Sequence, residues 1–176
     1  MSGARALSRP ARTGLLLLLG VVAIHAALIP LGPGGMLVPP DLLYCLVIAW
    51  VLRAPDAPPV WLLVGLGLAA DILLSRPIGL GALGLLLAAE VAGRNRILLR
   101  GLPFPAEWAA AAIGYGLILA GIYAALRLTF AEAPAPYDLL RYLVATALAY
   151  PLVALAVAWG VRLRTAERAH PRERLT

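Results

Sequence analysis

The stretch Val38-Pro39-Pro40-Asp41-Leu42-Leu43-Tyr44-Cys45-Leu46-Val47-Ile48-Ala49-Trp50-Val51-Leu52 opens on two prolines and a carboxylate and then runs from 42 to 52 without a charge. Proline suits the start of a helix, and a helix that is apolar all round belongs in the interior of a protein or in a membrane. Composition decides between the two. The chain has 176 residues, 62% hydrophobic and 14% charged, whereas soluble domains carry roughly 25% charged residues. So short a chain cannot hide that much apolar surface from water, and lipid becomes its solvent.

Similar apolar blocks lie on either side of this one. Upstream, Thr13 to Leu31 follows Arg5, Arg9 and Arg12. It reads as an anchor, because the residues around His25-Ala26-Ala27 make a poor signal-peptide cleavage site. Downstream, the breaker cluster Ala54-Pro55-Asp56-Ala57-Pro58-Pro59 leads into a span from Val60 to Leu74, and Ser75-Arg76-Pro77 turns into another from Ile78 to Ala92. A basic loop with Arg94, Arg96 and Arg100 precedes a span from Ala106 to Leu126, and a proline-containing connection precedes the last, Leu139 to Val161. Each span needs roughly 20 residues, so the whole chain reads as one transmembrane domain with a polar tail, Arg162 to Thr176. The expected fold is an all-α integral membrane protein, a compact bundle of about six transmembrane helices.

All fifteen basic residues are arginine. Those at the N-terminus, at 53, in the 94–100 loop and in the tail fall on one side of the predicted spans, and only Arg76, Arg127 and Arg141 fall on the other. Cytoplasmic loops collect Lys and Arg, so both termini are expected in the cytoplasm. Trp50, Trp61, Trp108 and Trp159 sit at the same end of their spans, where indoles favour the headgroup layer. No long basic surface exists to grip a phosphate backbone, so the positive charge does not indicate nucleic acid.

Small residues at helical spacing, such as Gly81, Gly84, Ala88 and Ala92, or Ala110, Gly114, Gly121 and Ala125, let helix backbones approach closely in lipid. Polar residues inside spans are costlier and therefore more telling. Asp71 stands four residues after Gly67, on the same face, and is expected to pin helices together through Arg76, Arg127 or Arg141. Asp41 follows two prolines and is expected to cap its helix, and Glu90 to pair with Arg94 one turn on.

Several chemistries lack their residues. A serine protease needs a Ser with a His base, yet Ser2, Ser8 and Ser75 have only His25 and His170 to choose from, neither suitably placed. No metal-ligand spacing or phosphate-binding glycine loop occurs, and Asp41 with Asp71 lacks the context of an intramembrane aspartyl protease. Cys45 has no partner within the chain for a disulfide. No cofactor, metal or catalytic residue is expected.

In order and spacing, Pro40-Asp41-Leu42-Leu43, Trp50-Val51-Leu52-Arg53-Ala54-Pro55, Gly65-Leu66-Gly67-Leu68-Ala69-Ala70-Asp71-Ile72-Leu73-Leu74 and Pro77-Ile78-Gly79 resemble the bacterial MreD family, with Ile72 where that family has Leu. The basic stretch after the fourth span and Pro151 inside the last are similar to it as well. The resemblance implies a non-enzymatic inner-membrane scaffold of the cell-wall elongation machinery, needed for rod shape. It would bind an MreC-like single-span partner and, through it, connect with MreB filaments, a glycosyltransferase and a penicillin-binding transpeptidase. The alternative is a small-molecule-binding subunit of a transporter, similar to the substrate-binding subunits of energy-coupling-factor transporters. Against it stand short outer loops poor in Asn, Gln and Ser, in a chain whose only Asn is Asn95 and which has no Gln.

The charge asymmetry predicts that, in a Cys45→Ser background, a membrane-impermeant thiol reagent applied to intact cells labels a cysteine placed at Ala133 and spares one placed at Arg96. Labelling at position 96 alone, or at both, overturns the orientation.

Overall fold

The structure is a computed structural model that describes residues 9–29, 38–54, 57–130 and 133–166. Among them the chain forms seven α-helices and no strand: α1 (Arg9–Leu28), α2 (Leu42–Arg53), α3 (Val60–Leu73), α4 (Leu80–Arg94), α5 (Arg96–Gly101), α6 (Phe104–Leu128) and α7 (Pro136–Ala166). Arg9–Leu28, Phe104–Leu128 and the Pro136–Trp159 part of α7 are long and apolar enough to cross a membrane. The helices Leu42–Arg53 and Val60–Leu73 are apolar but shorter.

α2 is the centre of the bundle. Every residue from Leu43 to Leu52 is buried, and α1, α4, α5, α6 and α7 all pack against it. This placement follows from its lack of a polar face. At 1.5 Å per residue α2 is about 18 Å long, against roughly 30 Å of hydrocarbon, so it lies inside a cage of longer helices. The cage turns its own apolar residues outward: Leu17 and Leu18 of α1, Ile113 and Leu117 of α6, and Leu148, Leu152 and Leu155 of α7 are exposed. A water-soluble protein would carry polar residues on these outer faces.

α3 and α4 form a tight antiparallel pair. A Cβ added to Gly67 would come within 2.8 Å of the Ala82 Cα, so the glycine sets the distance between the two backbones. Of the small-residue stripes, Gly84 faces Ile118 and Gly114 faces the Tyr44 hydroxyl, whereas Gly121 has nothing within 4 Å.

Several boundaries depart from expectation: α1 begins at Arg9 in place of Thr13, α2 at Leu42 in place of Val38, α4 at Leu80 in place of Ile78 and α7 at Pro136 in place of Leu139. The 94–100 segment is not simply a loop, because after a break at Asn95 it folds into the short α5. The cause is Arg96, whose guanidinium donates to the carbonyls of Leu52 (3.3 Å) and Ala54, groups that the end of α2 leaves without intrahelical partners. α6 starts at Phe104, with Pro105 inside its first turn, where a missing N–H does no harm. α7 continues past Val161 to Ala166. Of the expected tail, residues 167–176 lie outside the described residues, as do Pro30 and Leu31 of the first span.

α7 also runs straight through Pro151. Proline has no N–H, so the carbonyl four residues earlier, that of Ala147, loses its intrahelical donor. The indole Nε1–H of Trp108 on α6 donates to that carbonyl at 2.7 Å. A defect in one helix thus becomes a bond between two, as required where no water can reach the backbone. The expected outcome is a double-mutant coupling: Trp108→Phe destabilises the detergent-solubilised protein by about 1–3 kcal/mol, and by clearly less in a Pro151→Ala background, where residue 151 again donates. Additive thermal shifts contradict this account.

Candidate functional site

Two polar clusters close the ends of α2. At its start, Asp41 is the N-cap, its Oδ1 accepting from the Tyr44 N–H at 3.0 Å. Its own N–H donates to the Thr146 hydroxyl of α7 at 3.0 Å. Its Oδ2 accepts from Arg76 Nη1 at 2.7 Å and, at 3.4 Å, from the Tyr115 hydroxyl of α6. One residue therefore ties together α2, α6, α7 and the turn after α3. Both partners of the pair are mostly buried, so bulk water screens them far less than a surface pair.

The turn that delivers Arg76 is set by backbone bonds. Ser75 takes a left-handed conformation, φ +52°, and the Arg76 N–H donates to the Asp71 carbonyl at 2.8 Å, a helix-terminating geometry more often filled by glycine. Asp71 itself is 1% exposed. Its Oδ2 accepts from the N–H groups of Gly79 (2.9 Å) and Ala82 (3.1 Å), at the start of α4. Gly79 permits this with φ +89°. Its Oδ1 has no hydrogen-bond partner and is packed against Gly81, where a Cβ would collide with it.

This corrects the expectation that Asp71 pairs with an arginine. Arg76 pairs with Asp41, Arg141 lies 3.8 Å from Asp138 and over the Tyr137 ring, and Arg127 is exposed in the last turn of α6. The physical reason is supply. The first turn of α4 offers N–H groups without intrahelical acceptors and the positive end of a helix dipole, which together accommodate a carboxylate without a guanidinium.

At the other end of α2, Arg53 meets Glu107 of α6 at 2.8 Å, and the Tyr150 hydroxyl of α7 donates to the same Glu107 oxygen at 2.7 Å. Arg53 Nη1 is buried without a partner. Sequence reasoning passed over Glu107, Tyr150, Tyr115 and Thr146. Glu107 did carry a signal, since it opens its helix at the same end as Arg53 closes another. Glu90 and Arg94 pair at 2.7 Å on the exposed face of α4, where such a bond contributes little.

Asp41, Arg76, Asp71, Gly67 and Tyr115 line a cavity of about 680 Å³. Its walls are Ile118, Leu119, Ile122 and Leu126 of α6 and Leu139 and Tyr142 of α7, with Ser75 and Pro77 from the turn. It is polar at the floor and apolar along the sides, a combination suited to holding a molecule.

A family model described as rod shape-determining protein MreD matches residues 9–157 of the chain. No curated protein and no solved structure matches it.

The capping role assigned to Asp71 predicts that Asp71→Ala lowers stability by about 1–3 kcal/mol, and Asp71→Asn, which keeps an acceptor oxygen, by less. The cost is expected to be unchanged in an Arg127→Gln/Arg141→Gln background, read as the midpoint of thermal unfolding in detergent. A smaller cost in that background would restore an arginine as the partner.

Proposed function

The chain belongs to the MreD family of rod shape-determining membrane proteins, and from that premise we propose that it is a non-enzymatic scaffold of the cell-wall elongation machinery in the inner membrane. In this reading it crosses the bilayer six times, with α1, α2, α3, α4, α6 and α7 as the spans, α5 at the cytoplasmic surface and both termini inside. Its direct partner is an MreC-like single-span protein, through which it connects with MreB filaments and with the glycosyltransferase and transpeptidase of wall synthesis.

The observation that carries the proposal is the family match over 9–157. The geometry supports it in two ways. Buried polar groups are largely engaged in bonds between helices, at Asp41, Asp71, Glu107 and Trp108, which makes the bundle a fixed body. Among the described residues, the middle stretches of α1, α6 and α7 turn apolar side chains outward, which suits both lipid and a partner's membrane helix. The rival reading, a small-molecule-binding transporter subunit, has one observation in its favour, the 680 Å³ cavity.

Capture of the tagged chain from its own membranes in mild detergent, followed by mass spectrometry, separates the two. The expected result is co-purification of a single-span protein with a large extracytoplasmic domain. Recovery of a pair of ATPases in its place, with a vitamin-sized molecule bound, would sink the scaffold.

A further inference from the structure

The cavity beside Asp41 and Arg76 exists because the helices differ in length. α2, α3 and α4 have 12, 14 and 15 residues, whereas α6 has 25 and α7 has 31. Tyr115, level with the start of α2, stands about 17 Å along α6, and Thr146 about 15 Å along α7 at 1.5 Å per residue. Beyond that level the two long helices continue while α2 has ended, and the space between them is the cavity.

The hollow is half open, so in a membrane it is filled by water, lipid or a ligand. Water alone is a poor filling, because a buried water needs two to four polar partners and the walls, from Ile118 to Leu126 and at Leu139, are mainly aliphatic. The floor carries two carboxylates and one guanidinium, and each carboxylate is already engaged, the free Oδ1 of Asp71 being covered by Gly81. Asp41 is paired with Arg76, and Asp71 accepts two N–H groups at the positive end of α4. An anionic head group would face both carboxylates, and a cationic one would have to compete with Arg76 for Asp41. What the floor still offers is donors, since the guanidinium carries five N–H bonds and directs one nitrogen to Asp41.

We propose that this cavity binds a neutral amphiphile, an elongated apolar molecule whose uncharged head accepts hydrogen bonds from Arg76 while its body lies along α6 and α7. The site goes beyond the scaffold reading and does not rest on it; it requires only that the bundle sit in a membrane. Volumes of roughly 300–1,000 Å³ are typical of sites for such ligands.

The test uses the full chain in phosphatidylcholine nanodiscs with three photoactivatable probes of the same chain length, a diazirine-bearing fatty alcohol, the matching fatty acid and the matching fatty amine. Mass spectrometry locates the adducts. The alcohol is expected to attach at Ile118, Ile122 or Leu139 in preference to the other two. Ile122→Trp, which fills the cavity, should lower that labelling about tenfold. Ile113→Trp, on the exposed face of α6, should leave it unchanged. Leu139→Trp fills the same space from α7, so a folding defect in one variant leaves the other to decide. Labelling of the cavity wall that neither filling variant reduces, adducts confined to exposed residues such as Ile113 and Leu148, or stronger labelling by the acid or the amine each overturn the proposal. Capture of the MreC-like partner is measured separately, so either result can fail without the other.

Discussion

A helix of 12 residues that begins and ends inside a bundle leaves about four N–H groups at one end and four carbonyls at the other without intrahelical partners. Buried in the bundle, these groups need partners from the protein itself. Much of the remaining architecture answers this requirement. Asp41 serves the start of α2 and recruits Arg76, Tyr115 and the Thr146 hydroxyl around it. Arg96 serves the end by donating to the Leu52 and Ala54 carbonyls, and in doing so folds α5 against the bundle. The long helices α6 and α7 are held in register with α2 by the same side chains that close its ends.

The same constraint recurs wherever the helical ladder is interrupted. The start of α4 takes a carboxylate from α3, and the carbonyl orphaned by Pro151 takes an indole from α6. In each case the unsatisfied backbone group lies on one helix and its remedy on another. Interruptions that would weaken a soluble helix therefore become cross-links in this bundle. Buried ion pairs have a different standing. Arg53 with Glu107 is not necessarily a net gain over an apolar filling, but once built it cannot lose one partner cheaply. Its evident contribution is to fix which face of α6 meets the end of α2.

Differences in helix length also produce the cavity. A short central helix beside two long ones leaves a hollow at one end, with a floor made of the very groups that close α2 and α4. The polar cluster and the cavity are therefore two consequences of a single choice of lengths, which is why the charged residues meet the space and not the lipid.

The sequence by itself determined the solvent, the helical class and most of the apolar segments, because hydrocarbon thickness and the cost of exposed backbone leave few alternatives. It also placed Asp41 at a helix start and Glu90 beside Arg94, since both depend only on local spacing. The family was legible too, in the order of Pro40-Asp41, Gly67, Asp71 and Pro77 along the chain. Partners separated by many positions were not. A carboxylate and several arginines near one end of a bundle suggest an ion pair, yet spacing cannot reveal that the amides of Gly79 and Ala82 reach Asp71 first. Nor can it show that Trp108 and Ala147, 39 positions apart, are joined. Only the tertiary structure decided those matches, because hydrogen bonds are short and directional, and which donor comes within about 3 Å depends on how the helices cross.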